Sequence, residues 1–146
     1  MNAELKELIK EDLKRHEGVM YEVYLDTEGL PTAGIGHLLD AMTAYEVGDT
    51  VTKEQVDEWF TTDFAEAVSD CCAIFLNFES LPDQVKRVLV NMAFNLGRSR
   101  LGKFKNMVTA VNEGNYPKAA DEMVDSKWYR QVKTRGVELV DLMRTA

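Results

Sequence analysis

Cysteine, histidine and proline are all scarce in this chain. Its 146 residues include two cysteines, two histidines and three prolines. The cysteines, Cys71 and Cys72, are adjacent. Neighbours of that kind close only a strained ring, so two reduced thiols are expected in place of a disulfide staple. So few histidines leave no zinc-ligand pattern, and no metal or other cofactor is expected. Long apolar runs are missing as well, so nothing approaches the roughly twenty residues of a membrane-spanning helix. The first residues, Met1 to Glu7, lack a basic stretch leading into an apolar one. A cleaved signal peptide is therefore not expected, and the protein should accumulate in the cytoplasm of the cell that makes it. Internal repeats and low-complexity segments are also lacking.

What is present suits one folded unit, with two lobes sharing a core at most. Apolar residues make up 45% of the chain, enough to build a core, and charged ones 29%. The net charge of −8 is unevenly spread. Residues 1–80 carry 5 Lys and Arg against 18 Asp and Glu, a net of −13. Residues 81–146 carry 12 against 7, a net of +5. The acidic total argues against nucleic acid as the main partner. The basic second half leaves room for an anionic polymer on one side.

Leu5, Leu8, Ile9 and Leu13 recur at helical spacing, predicting a helix over 3–16 with Asn2 as its cap and Gly18 ending it. Met20 to Leu25 alternates and reads as a strand. Asp26-Thr27-Glu28-Gly29 is a turn, and Thr32 to His37 reads as the returning strand of a small hairpin. Thr52 with Gln55 is a capping box opening a long helix to about Phe75. Pro82 and Asp83 begin a strongly apolar helix that Gly97 should stop. Shorter helices are predicted near 101–113 and 117–125. A tryptophan-bearing turn at 127–131 and a last helix over 134–145 complete an α+β protein.

Glu17 follows the first helix; eight residues separate it from Asp26, and five separate Asp26 from Thr32. Cutting a glycosidic bond needs one protonated carboxyl to donate to the leaving oxygen and one ionised carboxylate to serve water or attack directly. A helix end and a hairpin turn can hold two carboxylates apart. Taken singly, each residue has a plainer reading: Asp26 as a turn former, Glu17 as a helix-end carboxylate, Thr32 as a strand residue. In a chain with 25 carboxylates the spacing leaves both readings open.

The string Tyr24-Leu25-Asp26-Thr27-Glu28-Gly29-Leu30-Pro31-Thr32-Ala33-Gly34-Ile35-Gly36-His37-Leu38, preceded by Glu17-Gly18, resembles the active-site signature of the T-even phage lysozymes of glycoside hydrolase family 24. The resemblance continues through Asn91 to Gly97, Phe104, Ser126 to Tyr129 and Arg135. It implies a two-lobed lysozyme-like fold with a small N-terminal β-hairpin lobe and a helical C-terminal lobe joined by a long helix. Within a single domain over 1–146, residues 1–16 would form a helix packing on the C-terminal lobe. The β lobe would span 17–51, the linking helix 52–76 and the helical lobe 77–146.

The resemblance further implies hydrolysis, with inversion, of the β-1,4 bond between N-acetylmuramic acid and N-acetylglucosamine in bacterial peptidoglycan, for host cell lysis. Glu17 would be the general acid, Asp26 would position or deprotonate the attacking water, and Thr32 would hold that water. Gly36, His37, Leu38 and Phe94 would bind substrate. Asp63 would support His37, and Arg135 would support Glu17. The enzyme would be a monomer without membrane insertion, held in the host cytoplasm until a holin-like protein permeabilises the membrane and releases it to the wall or periplasm. A tail-associated lysozyme used in infection and a catalytically silent wall-binding module are the alternatives; the intact Glu17, Asp26 and Thr32 argue against the silent module. Departures from the family pattern are a short stretch after His37, Met107 in place of a small hydroxyl residue, and Glu122 in place of a neutral amide.

Overall fold

The computed structural model describes residues 1–146. Its elements run α1 (Ala3–Glu17), β1 (Met20–Leu25), β2 (Pro31–Gly34), β3 (His37–Leu38), α2 (Lys53–Ile74), α3 (Asp83–Gly102), α4 (Lys105–Asn112), α5 (Tyr116–Val124), α6 (Lys127–Val132) and α7 (Thr134–Arg144). A short 3-10 turn, Phe78–Ser80, precedes α3. Helices with one small antiparallel sheet make an α+β, lysozyme-like fold. No helix is long and apolar enough to cross a membrane.

The residues group into two compact units. One comprises Lys10–Ala65, the other Met1–Ile9 with Glu66–Ala146. In the Lys10–Ala65 unit, the sheet has the order β1-β2-β3. Tyr24 stands opposite Thr32 and Leu25 opposite Pro31, and the register shifts between Met20 and Tyr24. The expected single strand over 32–37 is instead two strands. Gly34 and Gly36 both adopt positive φ, at 64° and 62°, which turns the chain back on itself and pairs His37 with Ala33. The hairpin is thus a three-stranded sheet. Its other edge is covered, because Val51 N–H donates to Tyr21 O and Val23 N–H to Asp49 O. Paired edges of this kind resist intermolecular strand addition. Leu13, Val23, Ala33, Ile35, Val51, Val56 and Phe60 are the buried apolar residues here.

The helical unit is built around α3, where Val85, Val88, Leu89 and Met92 are fully buried. Gly97 was expected to end this helix. Its backbone is indeed non-helical (φ 78°, ψ 169°), but helical turns resume beyond it to Gly102. The consequence is a kink, which shortens α4 at its start to Lys105. α5 packs against both α4 and α7, burying Ala119, Ala120 and Met123. The tryptophan-bearing turn is a helix, α6, capped by Ser126, whose hydroxyl accepts from Tyr129 N–H. Trp128 lies edge-on to Phe104 and donates its indole N–H to Asn95 Oδ1 at 2.9 Å.

Candidate active site

Glu17 is the last residue of α1 because Gly18 follows it at φ 77°, its N–H closing the helix on Lys14 O. A left-handed glycine is the common way to finish a helix. The Glu17 side chain is half-buried and lies on the backbone of Gly36. A Cβ added to Gly36 would meet Glu17 Oε1 at 2.7 Å and Cδ at 2.9 Å. The glycine between β2 and β3 is therefore what makes room for this carboxylate.

Asp26 is fixed by a different device. Its Oδ1 accepts from the backbone N–H of Glu28 at 2.8 Å and of Leu30 at 2.9 Å. Its own N–H donates to Leu30 O, and its carbonyl accepts from Gly29 N–H. One carboxylate oxygen is thus committed to the turn, and Oδ2 is left over. Thr32 is buried and donates its hydroxyl to Leu30 O at 3.0 Å. With its single proton spent, Thr32 Oγ1 offers only acceptor capacity.

Tyr24 belongs to the same face. Residues directly opposite in an antiparallel pair point to one side of the sheet, so Tyr24 and Thr32 are side-chain neighbours. Burial first, then the charges of Glu17 and Asp26, push the Tyr24 phenol above its usual range. A group that feels both carboxylates lies within electrostatic reach of both.

His37 sits beside this arrangement. Its Nδ1 is 2.7 Å from Asp63 Oδ2, and its ring stacks on Trp59 with centroids 4.5 Å apart and planes within 10°. Tyr45 meets Trp59 edge-on, with centroids 5.7 Å apart. Leu38 is exposed. The structure thus brings Glu17, Asp26, Thr32, Gly36, His37, Leu38 and Asp63 into one unit, and places Phe94 and Arg135 in the other. Phe94 is half-buried on α3. Arg135 is buried on α7, where its Nε donates to Asn91 Oδ1 at 2.9 Å.

Sequence reasoning did not single out Tyr24, which stands opposite Thr32, Trp59, which stacks on His37, or Asn91, which accepts from Arg135. Tyr24 was read as a strand residue that opens the motif string, and Trp59 lies within the long helix predicted from Thr52. The helical unit also carries an open groove of about 460 Å³, with Phe104, Met107 and Trp128 in its lining. Arg100, Lys103, Lys105 and Lys127 line it too, with Glu122 and Asp125. Arg98, from the same basic run, is instead paired with Asp70 at 2.9 Å.

A small antiparallel sheet that gathers Glu17, Asp26 and Thr32, in a chain otherwise built of helices, fits a lysozyme, a class of glycoside hydrolase. Comparison with known proteins agrees and makes the class specific. The phage lysozyme family model matches residues 14–144, and the chain belongs to that family. It is 31% identical to the pre-baseplate central spike protein Gp5 of Enterobacteria phage T4 over 92% of this chain and 27% of that protein. It thus spans about a quarter of the spike protein. It is 29% identical to a probable T4-type lysozyme of Dictyostelium discoideum over 94% of both chains. With the endolysin of Salmonella phage P22 the identity is 31% over 75% of this chain and 73% of that one.

Proposed function

We propose that this protein is an inverting lysozyme that cleaves the β-1,4 bond between N-acetylmuramic acid and N-acetylglucosamine in peptidoglycan. The observation that carries the reading is the division of acceptors on the sheet face. Asp26 Oδ2 and Thr32 Oγ1 both have lone pairs uncommitted to the backbone. A water donating one proton to each keeps a lone pair free to attack the anomeric carbon. Glu17, protonated, donates to the glycosidic oxygen as the C1–O bond breaks. The water oxygen forms the new bond on the opposite face, and Asp26 takes its proton. Glu17 ends ionised and Asp26 protonated, and exchange with solvent resets both. Gly36, His37 and Leu38 line the sugar-binding side of this face, with Asp63 and Trp59 holding the His37 ring. Glu17→Gln keeps the shape and removes the donated proton, so it should fold normally and lose nearly all clearing of permeabilised Gram-negative cells. Clearing within a few-fold of the wild type sinks the assignment.

In the same reading the enzyme is an endolysin that reaches the wall once a holin-like partner has permeabilised the membrane. A second context is favoured by the similarity to a phage T4 spike protein: a lysozyme carried on the particle and used at infection. Finding the chain in purified particles would select that context, and finding it only in lysates would select the endolysin.

A further inference from the structure

We propose that the Tyr24 hydroxyl is a substrate-binding donor, contacting a sugar oxygen beside the scissile bond. The inference rests on the glycan-cleaving reading above and adds a residue to it. Three placements carry it. Tyr24 is paired with Thr32 across β1 and β2, on the side where that threonine points. Asp26 lies two residues further along the same chain, just beyond the end of β1, where its charge reaches the Tyr24 phenol. The Glu17 carboxylate lies against Gly36, in the turn between β2 and β3.

Asp26 Oδ2 and Thr32 Oγ1, close to Tyr24, offer acceptors. Asp26 is a carboxylate with one oxygen held by two backbone N–H groups. Thr32 has spent its proton on Leu30 O. The proton of Glu17 is reserved for the leaving oxygen. A glycan's hydroxyl and amide protons can donate to those acceptors, but its carbonyl, ring and glycosidic oxygens need a donor from the protein. Tyr24 supplies the missing donor. Two nearby carboxylates and partial burial disfavour its ionised form, so the donor persists through the range in which the carboxylates work. A phenol also keeps its direction better than a longer, more flexible side chain would.

The test uses the full chain and a peptide-free tetrasaccharide of alternating N-acetylglucosamine and N-acetylmuramic acid. Titrating it calorimetrically into Glu17→Gln and into Glu17→Gln/Tyr24→Phe reads binding without turnover. Loss of one neutral hydrogen bond should weaken binding about threefold to tenfold. In the otherwise intact enzyme, Tyr24→Phe should lower kcat/KM by a similar factor with an unchanged melting temperature. Binding equal within error, in a protein whose wild type cleaves the wall, overturns the role of Tyr24 alone. So does a melting temperature that falls while affinity holds, because that marks a packing residue. A wild type that neither binds nor cleaves the glycan overturns the parent reading together with this one.

Discussion

Gly36 shows how much a single residue governs here. Its φ of 62° is a conformation that L side chains rarely adopt, and its missing Cβ is where Glu17 rests. Gly36→Ala should therefore act twice. The left-handed backbone costs about 1–2 kcal/mol of stability, and the Glu17 carboxylate must move from its seat. A displaced acid is a misaligned one, and misplacement by about 1 Å can cost about 100-fold in rate. Activity should thus fall far more than the melting temperature suggests. A variant with reduced stability but unchanged turnover would show that the contact does not position the acid. Glu17, Asp26 and Thr32 could be singled out in the sequence because they stand in, or just before, a specific string, and the structure gathers them in one unit. Tyr24 stands in that string too, but its relation to Thr32 depends on strand register. That register follows an irregularity between Met20 and Tyr24, which alternation alone does not reveal. Trp59 was hidden for a related reason: its helical spacing matches a core residue, and only the folded chain places its ring on His37.

At the scale of elements, local signals read well wherever capping and periodicity agreed. α1, β1 and α2 lie within a residue or two of their expected bounds. The asparagine at position 2 caps α1 by accepting from Leu5 N–H, and Thr52 caps α2 by accepting from Gln55 N–H. The misses were at glycines. Gly34 and Gly36 were read as bends within one strand, yet two left-handed residues so close together reverse the chain. Gly97 was read as a stop, but a single non-helical residue only kinks α3 when the segment beyond it has its own core contacts, as Leu101 does. Whether a glycine bends, stops or reverses a chain is decided by long-range packing. The adjacent cysteines read correctly as free thiols: Cys71 is buried and Cys72 exposed, as successive positions on α2 must be when only one face is covered. Burial, with Cys72 and Asp70 close by, pushes the Cys71 thiol up, so it stays protonated and inert.

Charge separates at the scale of the whole molecule. The Lys10–Ala65 unit carries 13 acidic against 4 basic residues, and the rest of the chain 12 against 13. Peptidoglycan stems carry carboxylates, so the acidic unit repels the polymer at long range. Arg100, Lys103 and Lys105 offset this by clustering on the groove of the helical unit, whereas Arg98 is held by Asp70. Electrostatic steering acts over about a Debye length, roughly 10 Å at 0.1 M salt. Reversing Arg100, Lys103 and Lys105 to Glu should lower the rate on intact walls by about tenfold at low salt. The deficit should shrink as salt rises, and cleavage of short peptide-free oligosaccharides should hardly change. A loss equal on both substrates and independent of salt would point to a damaged groove instead of lost steering.

The stereochemistry of the first product bears most directly on the mechanism, because it reports which face of the sugar the water reaches. If Asp26 and Thr32 hold a water for direct attack, a β-linked glycan must yield an α-configured reducing end before mutarotation. Proton NMR of the anomeric signals, recorded in the first minutes of digestion of purified glycan strands, reads this without further assumptions. An initial α anomer is expected. An initial β anomer would mean that Asp26 attacks the sugar itself, and would contradict the division of roles between Glu17, Asp26 and Thr32.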